Sequence, residues 1–303
     1  MTGPDYLASM GGVSNVTVPR APDLDLAVQA ADAAALTAGV SVRDVVDLAE
    51  LGEVVGLFAT IWGRDANPPV TLELLRAFTK AGNYVGGAFE DGRLVGACVG
   101  FFHAPAEDAL HSHIAGVSSA ATGRSVGFAL KLHQRSWALL RGVSEIAWTF
   151  DPLVSRNAHF NLVKLGALPV EYLPNFYGAM PDRLNGADDS DRLLVRWPLR
   201  ATVVQAAATG DGPRAAVGPD AVVALGVGPD GLPVRGRLDA ATSLVAVPAD
   251  VEALRRTDPR AAQEWRRAVR DVLTELAADG ARITGFDRTG GYVVRRTSEG
   301  VSS

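Results

Sequence analysis

Apolar positions recur along this chain in two rhythms, and the rhythms mark out its elements. Leu24 to Ala38 is alanine-rich and predicts a helix that ends near Gly39, followed by a short strand at Ser41 to Val46. Asp47, with Glu50 three residues later, forms a capping box before a helix whose Leu51, Val54, Val55, Phe58, Ile61 and Trp62 share one apolar face. Pro68 and Pro69 break the chain, and a second helix begins near Thr71 with Leu72, Leu75 and Phe78 on one side. Tyr84 to Phe89 and Leu94 to Phe102 read as two strands, joined by turn residues at Glu90-Asp91-Gly92-Arg93. Ala109 to Val117 predicts a further strand that runs through a loop of small residues into a helix from about Ser125 to Arg141. Val126, Leu130, Trp137 and Leu140 mark the buried face of that helix, and Gly142 ends it. A strand at Ile146 to Phe150, a short helix at Asn157 to Leu165 and a strand at Leu193 to Leu199 follow.

The order predicts an α/β fold of the mixed (α+β) kind rather than a regular strand–helix alternation. Beyond it the signal weakens. Gly, Pro and Asp crowd the stretch from Thr209 to Gly236, with one strand candidate at Ala221 to Val227. Asp258-Pro259 is a strong helix start, as N-cap and first-turn proline, and Trp265, Val269, Val272, Leu273 and Leu276 give that helix a core face. Ile283 to Phe286 and Tyr292 to Arg295 predict a last hairpin about Gly290-Gly291. The expected organisation is a flexible lead-in over residues 1–23, a main unit over 24–199, and an α+β extension over 200–303 packed on it.

Composition excludes more than it identifies. Across 303 residues, 48% hydrophobic and 21% charged content describes a globular chain, and a net charge of −5 argues against a nucleic-acid partner. No apolar run is long enough to span a bilayer, and the first residues lack a basic-then-apolar leader, so no membrane association and a cytoplasmic location are expected. Cys98 is the single cysteine, which rules out an intrachain disulfide. No His, Cys and carboxylate spacing indicates a metal; the His111-x-His113 pair alone is too little.

The most informative stretch is Gly116-Val-Ser-Ser-Ala-Ala-Thr-Gly-Arg-Ser-Val-Gly-Phe-Ala-Leu130, where a strand runs through small residues into a helix. Backbone N–H groups at a helix start are unpaired and carry partial positive charge, and small residues let a pyrophosphate approach them. A Walker loop would need Gly-Lys-Ser/Thr, and a dinucleotide fingerprint three spaced glycines; neither is present.

This loop and the element order resemble the GNAT superfamily of acyl-coenzyme A N-acyltransferases, over about residues 41 to 199. The family's pyrophosphate motif, Gln/Arg-x-x-Gly-x-Gly/Ala, is matched at Gly127, while Thr122 and Ser125 stand where Gln/Arg and the first Gly are usual. Asn157-Ala-His-Phe-Asn-Leu-Val-Lys-Leu-Gly-Ala167 resembles the second signature through Asn157, Lys164 and Gly166. Trp148-Thr-Phe-Asp-Pro-Leu-Val-Ser-Arg-Asn-Ala158, Asn175-Phe-Tyr-Gly and Ser190-Asp-Arg192 look like a branch with a C-terminal extension, some of whose members resemble amino-acid N-succinyltransferases.

The resemblance implies acyl-CoA (acetyl-CoA or succinyl-CoA) as co-substrate, held by Val117, Thr122, Gly123, Arg124, Ser125, Val126 and Gly127 with Asn157 and Lys164. It implies a small-molecule amine as acceptor, attacked directly, and is compatible with a homodimer. The tyrosine that often protonates the leaving thiolate in this family would fall at Val163, which cannot do so. Strand alternation puts His111 and His113 on one face beside the expected thioester site, together with residues 115 and 117. The pKa of histidine suits His113 to proton removal at neutral pH, with Asp151 and Tyr177 as further candidate catalytic groups. Trp148 and His111 are candidate substrate contacts, and Arg156 and Arg192 could hold a carboxylate on the acceptor or on a succinyl group by bidentate pairing. Three functions follow in order: an N-acyltransferase, a catalytically degenerate module that binds acyl-CoA, and a tailoring enzyme that uses another acyl carrier.

Overall fold

A computed structural model of the protein describes residues 22–178, 188–287 and 289–296; nearly all of the expected lead-in lies outside them. The fold is mixed α/β, with two mixed sheets. In chain order come α1 (Pro22–Ala38), β1 (Ser41–Asp44), α2 (Leu48–Trp62), α3 (Leu72–Lys80), β2 (Tyr84–Glu90), β3 (Arg93–Phe102), β4 (Ala109–Val117), α4 (Val126–Leu139) and β5 (Glu145–Phe150). Then follow α5 (Ser155–Ala158), which continues as a π-helix over His159–Lys164, β6 (Leu168–Leu173), β7 (Arg192–Pro198) and α6 (Thr202–Ala208). The last part holds β8 (Val222–Val227), β9 (Pro233–Arg235), β10 (Thr242–Ala246), α7 (Val251–Thr257), α8 (Pro259–Ala278), β11 (Ala281–Phe286) and β12 (Gly291–Arg296).

Local chemistry accounts for the boundaries. Asp47 caps α2 by accepting from the Ala49 and Glu50 amides, but Glu50 turns away to pair with Arg43 at 2.6 Å, so only half of the expected capping box forms. Asp91 and Gly92 both have positive φ, the geometry of a two-residue hairpin loop whose twist matches its strands. Asp258 caps α8 through the Ala261 amide, with Pro259 in the first turn.

The first sheet has the order β1-β2-β3-β4-β5-β7-β6, and only β4 and β5 run parallel. One face packs α2 and α3 over Leu51, Val54, Phe58, Leu75, Val85 and Val99. The other carries α4, covered in turn by α1, and its core of Leu130, Ile146, Trp148 and Trp197 is continuous with that of the second sheet. The second sheet, β11-β12-β10-β8-β9, holds Val245, Val293 and Val294, and α8 packs against it. Among the described residues no helix is long and apolar enough to cross a membrane.

Candidate active site

Parallel strands β4 and β5 stay paired for three residues only, from Ala109 with Glu145 to His111 with Ala147. Both then continue, β4 to Val117 along β3 and β5 to Phe150 along β7, without pairing to each other. A wedge therefore opens inside the sheet at the C-terminal ends of two parallel strands, the position where open α/β sheets bind ligands. Among the described residues, no backbone hydrogen bond joins β4 to β5 beyond His111 and Ala147, so two strand edges face each other across the wedge.

The loop from β4 to α4 stands at the mouth. Residues Ser119–Ala121 form one 3-10 turn, and the Thr122 hydroxyl donates back to the Ser118 carbonyl at 3.1 Å. Gly123 (φ +83°) and Ser125 (φ +65°) take left-handed conformations that swing the chain into α4. Among the described residues, no acceptor is paired with the amides of Gly123, Arg124, Ser125, Val126 and Gly127. A side chain at Gly123 would meet nothing within 4 Å, and one at Gly127 only Val117 at 3.8 Å, so backbone rather than side chain forms this surface. Arg124 is committed elsewhere: it pairs with Glu90 at 2.6 Å and donates to the Ala38 carbonyl. Val126 is buried and anchors the helix start.

On the α2/α3 face, β4 carries a bulge. Val99 pairs with Ile114 but Gly100 with Ser112, leaving His113 as the extra residue. The expected alternation therefore fails. His111 and His113 do share a face, at 5.0 and 5.8 Å from the Phe101 ring. Beyond the bulge, however, it is Ile114 and Gly116 that face α2, while Val117 faces α4. His111 is half-buried, and desolvation first, then the charges of His113, His103 and Lys131, lower its pKa to about 4. Crowding by the surrounding chain lowers that of His113 as well, although its ring remains exposed. Tyr177 lies over β5, its hydroxyl 3.2 Å from Thr149 Oγ1 and its ring 5.3 Å from the Arg192 guanidinium.

At the other face sits a group that the sequence pattern did not single out. Lys131, from α4, is 5% exposed and donates to Ser112 Oγ at 3.0 Å and Gln134 Oε1 at 2.8 Å. Its ammonium lies 3.8 Å above the Trp148 ring, and the Trp148 indole N–H donates to Asn161 Oδ1. Ser112 and Trp148 are the first residues of their strands beyond the last β4–β5 pair, so Lys131 caps the apex of the wedge. Burial lowers its pKa to about 8. Gly100 makes room for the cluster, since a Cβ there would stand 3.0 Å from Gln134 Nε2. The Cys98 thiol, 3.7 Å from the Ser112 hydroxyl, is pushed up by burial.

Several predicted residues lie apart from this group. The Asp151 carboxylate is buried among Arg266, Arg255 and the Leu153 amide. Burial alone would raise its pKa, but the two guanidinium groups outweigh that and hold it well below the carboxylate range. Arg156 makes a two-pronged bond to Glu252 of α7, and Arg192 is buried with a bond to the Asp191 carbonyl. Asn157 is half-buried and Lys164 exposed, both on the α5–π-helix segment that packs near α6 and β11. Val163 packs against the core of that segment. Two concavities, about Leu225 and Arg235 and about Arg156 and Asp250, share no residue with the wedge. Among the described residues, no three His, Cys, Asp or Glu side chains gather as a metal site would require.

The chain is similar to several solved structures. An N-acetyltransferase from Staphylococcus aureus Mu50 aligns at 15% identity and a TM-score of 0.45, over 53% of this chain and 99% of that one. The ribosomal-protein-S18-alanine N-acetyltransferase from Escherichia coli aligns at 12% and 0.43, over 54% and 96%. A putative acetyltransferase from Salmonella typhimurium, solved with its cofactor acetyl-CoA, aligns at 14% and 0.42, over 54% and 95%. No family model and no curated relative matches the chain.

Proposed function

We propose that the protein is an acyl-coenzyme A-dependent N-acyltransferase that moves a short acyl group, acetyl or succinyl, to the primary amine of a small molecule such as an amino acid. The observation that supports this reading best is the parting of β4 and β5 beside the open start of α4. Unspent strand edges inside a sheet accept an extended ligand arm that carries amides of its own, by the logic of strand addition. Coenzyme A has such an arm, with a pyrophosphate at one end and a thioester at the other. The pyrophosphate suits the amides of Gly123 to Gly127, where the helix dipole favours negative charge and the glycines keep the approach clear. The thioester end then points to the apex. Residues 24–199 make up the transfer unit in this reading, and residues 200–303 its extension.

The acceptor must arrive as a neutral amine. His113, exposed on the face opposite α4 and with a lowered pKa, stays neutral at pH 7 and can take the proton that the attacking nitrogen sheds. Calorimetric titration with acetyl- and succinyl-coenzyme A, with melting scans, tests the binding half. A ligand at about 100 times its Kd should add about 2.7 kcal/mol of stability. Thiol release with a panel of amines tests the chemistry. No heat of binding and no melting shift at millimolar ligand would overturn the proposal; binding without thiol release favours the degenerate module.

A further inference from the structure

We infer that the Lys131 ammonium is the acid that protonates the departing coenzyme A thiolate. This rests on the acyl-coenzyme A reading of the wedge and supplies the group that Val163 cannot. Lys131 is a buried cation with, among the described residues, no carboxylate within ion-pair distance. Its contacts are a hydroxyl, an amide oxygen and the faces of Trp148 and Trp197. Such a charge is costly to bury, and its missing complement is a negative charge that arrives with the ligand. Position says which one. The ammonium touches the first residue beyond the last pair on each strand, so a ligand arm that fills the wedge as far as its apex ends against Nζ.

The other candidate acids near the wedge do not suit. Tyr177 is exposed, and bonds to Thr149 of β5. Cys98 is a buried thiol whose proton burial retains. His111 and His113 lie on the opposite face, beside Phe101, where the acceptor nitrogen loses its proton.

In the step, the amine nitrogen attacks the thioester carbonyl and a C–N bond forms. The C–S bond breaks with its electron pair going to sulfur. The Nζ proton moves to that sulfur, leaving free thiol and a neutral Lys131, while the proton of the attacking nitrogen leaves on the histidine side. Burial, which disfavours the charged form, makes Lys131 a stronger acid than a solvated lysine, and solvent returns its proton after product release.

The experiment binds free coenzyme A to wild type, Lys131→Met and Lys131→Arg, and follows the ultraviolet absorbance of the thiolate. Methionine replaces a buried charge by an apolar chain of similar length, which offsets the two hydrogen bonds lost to Ser112 and Gln134, so the variant should fold with a melting temperature near that of wild type. Wild type should bind coenzyme A with a raised thiolate fraction, and Lys131→Met should still bind it by calorimetry, weaker by no more than the lost thiolate stabilisation, with no such rise. Turnover should fall about 10²-fold or more in both variants, because arginine keeps the charge but not a transferable proton. With an aryl thioester, whose leaving thiolate needs no proton, Lys131→Met should regain most of that loss. An equal thiolate fraction in wild type and Lys131→Met overturns the role of Lys131 and leaves coenzyme A binding standing. So does a loss of turnover that the aryl thioester fails to relieve. Absence of coenzyme A binding in wild type overturns both readings.

Discussion

His113 owes its position to one residue too many in β4. The bulge that opposes both Ser112 and His113 to Gly100 keeps His113 beside His111 and Phe101, yet turns the rest of the strand over. Without it, Val117 would not face α4 and the loop would not enter the helix from that side. Because the His113 ring is exposed, its loss should not cost much packing. His113→Ala is expected to lower turnover about 10²-fold with melting temperature and coenzyme A affinity unchanged. The acid limb of the wild-type rate profile should lie below the ordinary histidine pKa of about 6.5, since crowding favours the neutral imidazole. Unchanged turnover in the folded variant would remove His113 from the mechanism. The pairing of the two histidines was legible from strand alternation, but the bulge was not, because nothing in Ala109 to Val117 marks where a partner strand slips. Lys131 was equally hidden. With Gln134 and Arg135 it reads as a solvated stripe of α4, and only the packing of the helix between α1 and the strands β2 to β5 makes all three buried.

The start of α4 does two electrostatic jobs with opposite tolerances. A carboxylate in its first turn complements the helix dipole, whereas the same charge beside a bound pyrophosphate repels it. Gly127 separates the two, since its backbone is not left-handed and a Cβ there would meet only Val117 at an ordinary distance. Gly127→Asp is expected to melt at or slightly above wild type while weakening coenzyme A binding about 10-fold or more, read by calorimetry. Equal affinity would move the phosphate site elsewhere. Gly123 is the poorer probe, because its φ of +83° strains any side chain whatever the ligand does. Elements with strong local signals were legible in this way: the Asp91-Gly92 hairpin, the start of α8 at Asp258-Pro259, and the strand–loop–helix itself. The second sheet was only partly so. β10 is five residues long and the α7 that follows it seven, and in the first sheet β6 contains Pro169 with Glu171 beyond it, so none offers a long enough period. The π-helix at His159–Lys164 keeps the apolar spacing of an ordinary helix, so its wider turn, which lies against β11 and α6, left no mark in the pattern.

At the scale of the whole molecule, the buried ions that join the two sheets explain why Asp151 looked catalytic from its place at the end of β5. Arg266 of α8 donates to both oxygens of Asp151, at 2.7 and 2.9 Å, and to Asp188 at 3.1 Å. Arg255 follows from α7 at 2.6 Å, and the Tyr292 hydroxyl of β12 donates to the neighbouring Pro152 carbonyl. The two arginines compensate the cost of burying this carboxylate, so removing the carboxylate leaves both, among the described residues, to share Asp188. Asp151→Asn is expected to cost about 3–5 kcal/mol by denaturant unfolding. Combining it with Arg266→Met should cost clearly less than the sum of the two single changes, since Arg255 and Asp188 still pair at 3.5 Å. The sign with pH follows from the direction of the shift. The folded-state pKa of Asp151 lies below its unfolded value, so its contribution is complete above the unfolded pKa of about 3.9 and is lost only as pH falls through the folded one. The stability gap between wild type and Asp151→Asn should therefore stay constant from about pH 5 to 8 and close only in strong acid. A catalytic Asp151 would give the opposite pattern, with turnover abolished in a protein that melts like wild type. Unfolding curves and thiol release on the same preparation separate the two, and a buried, doubly paired carboxylate predicts the first.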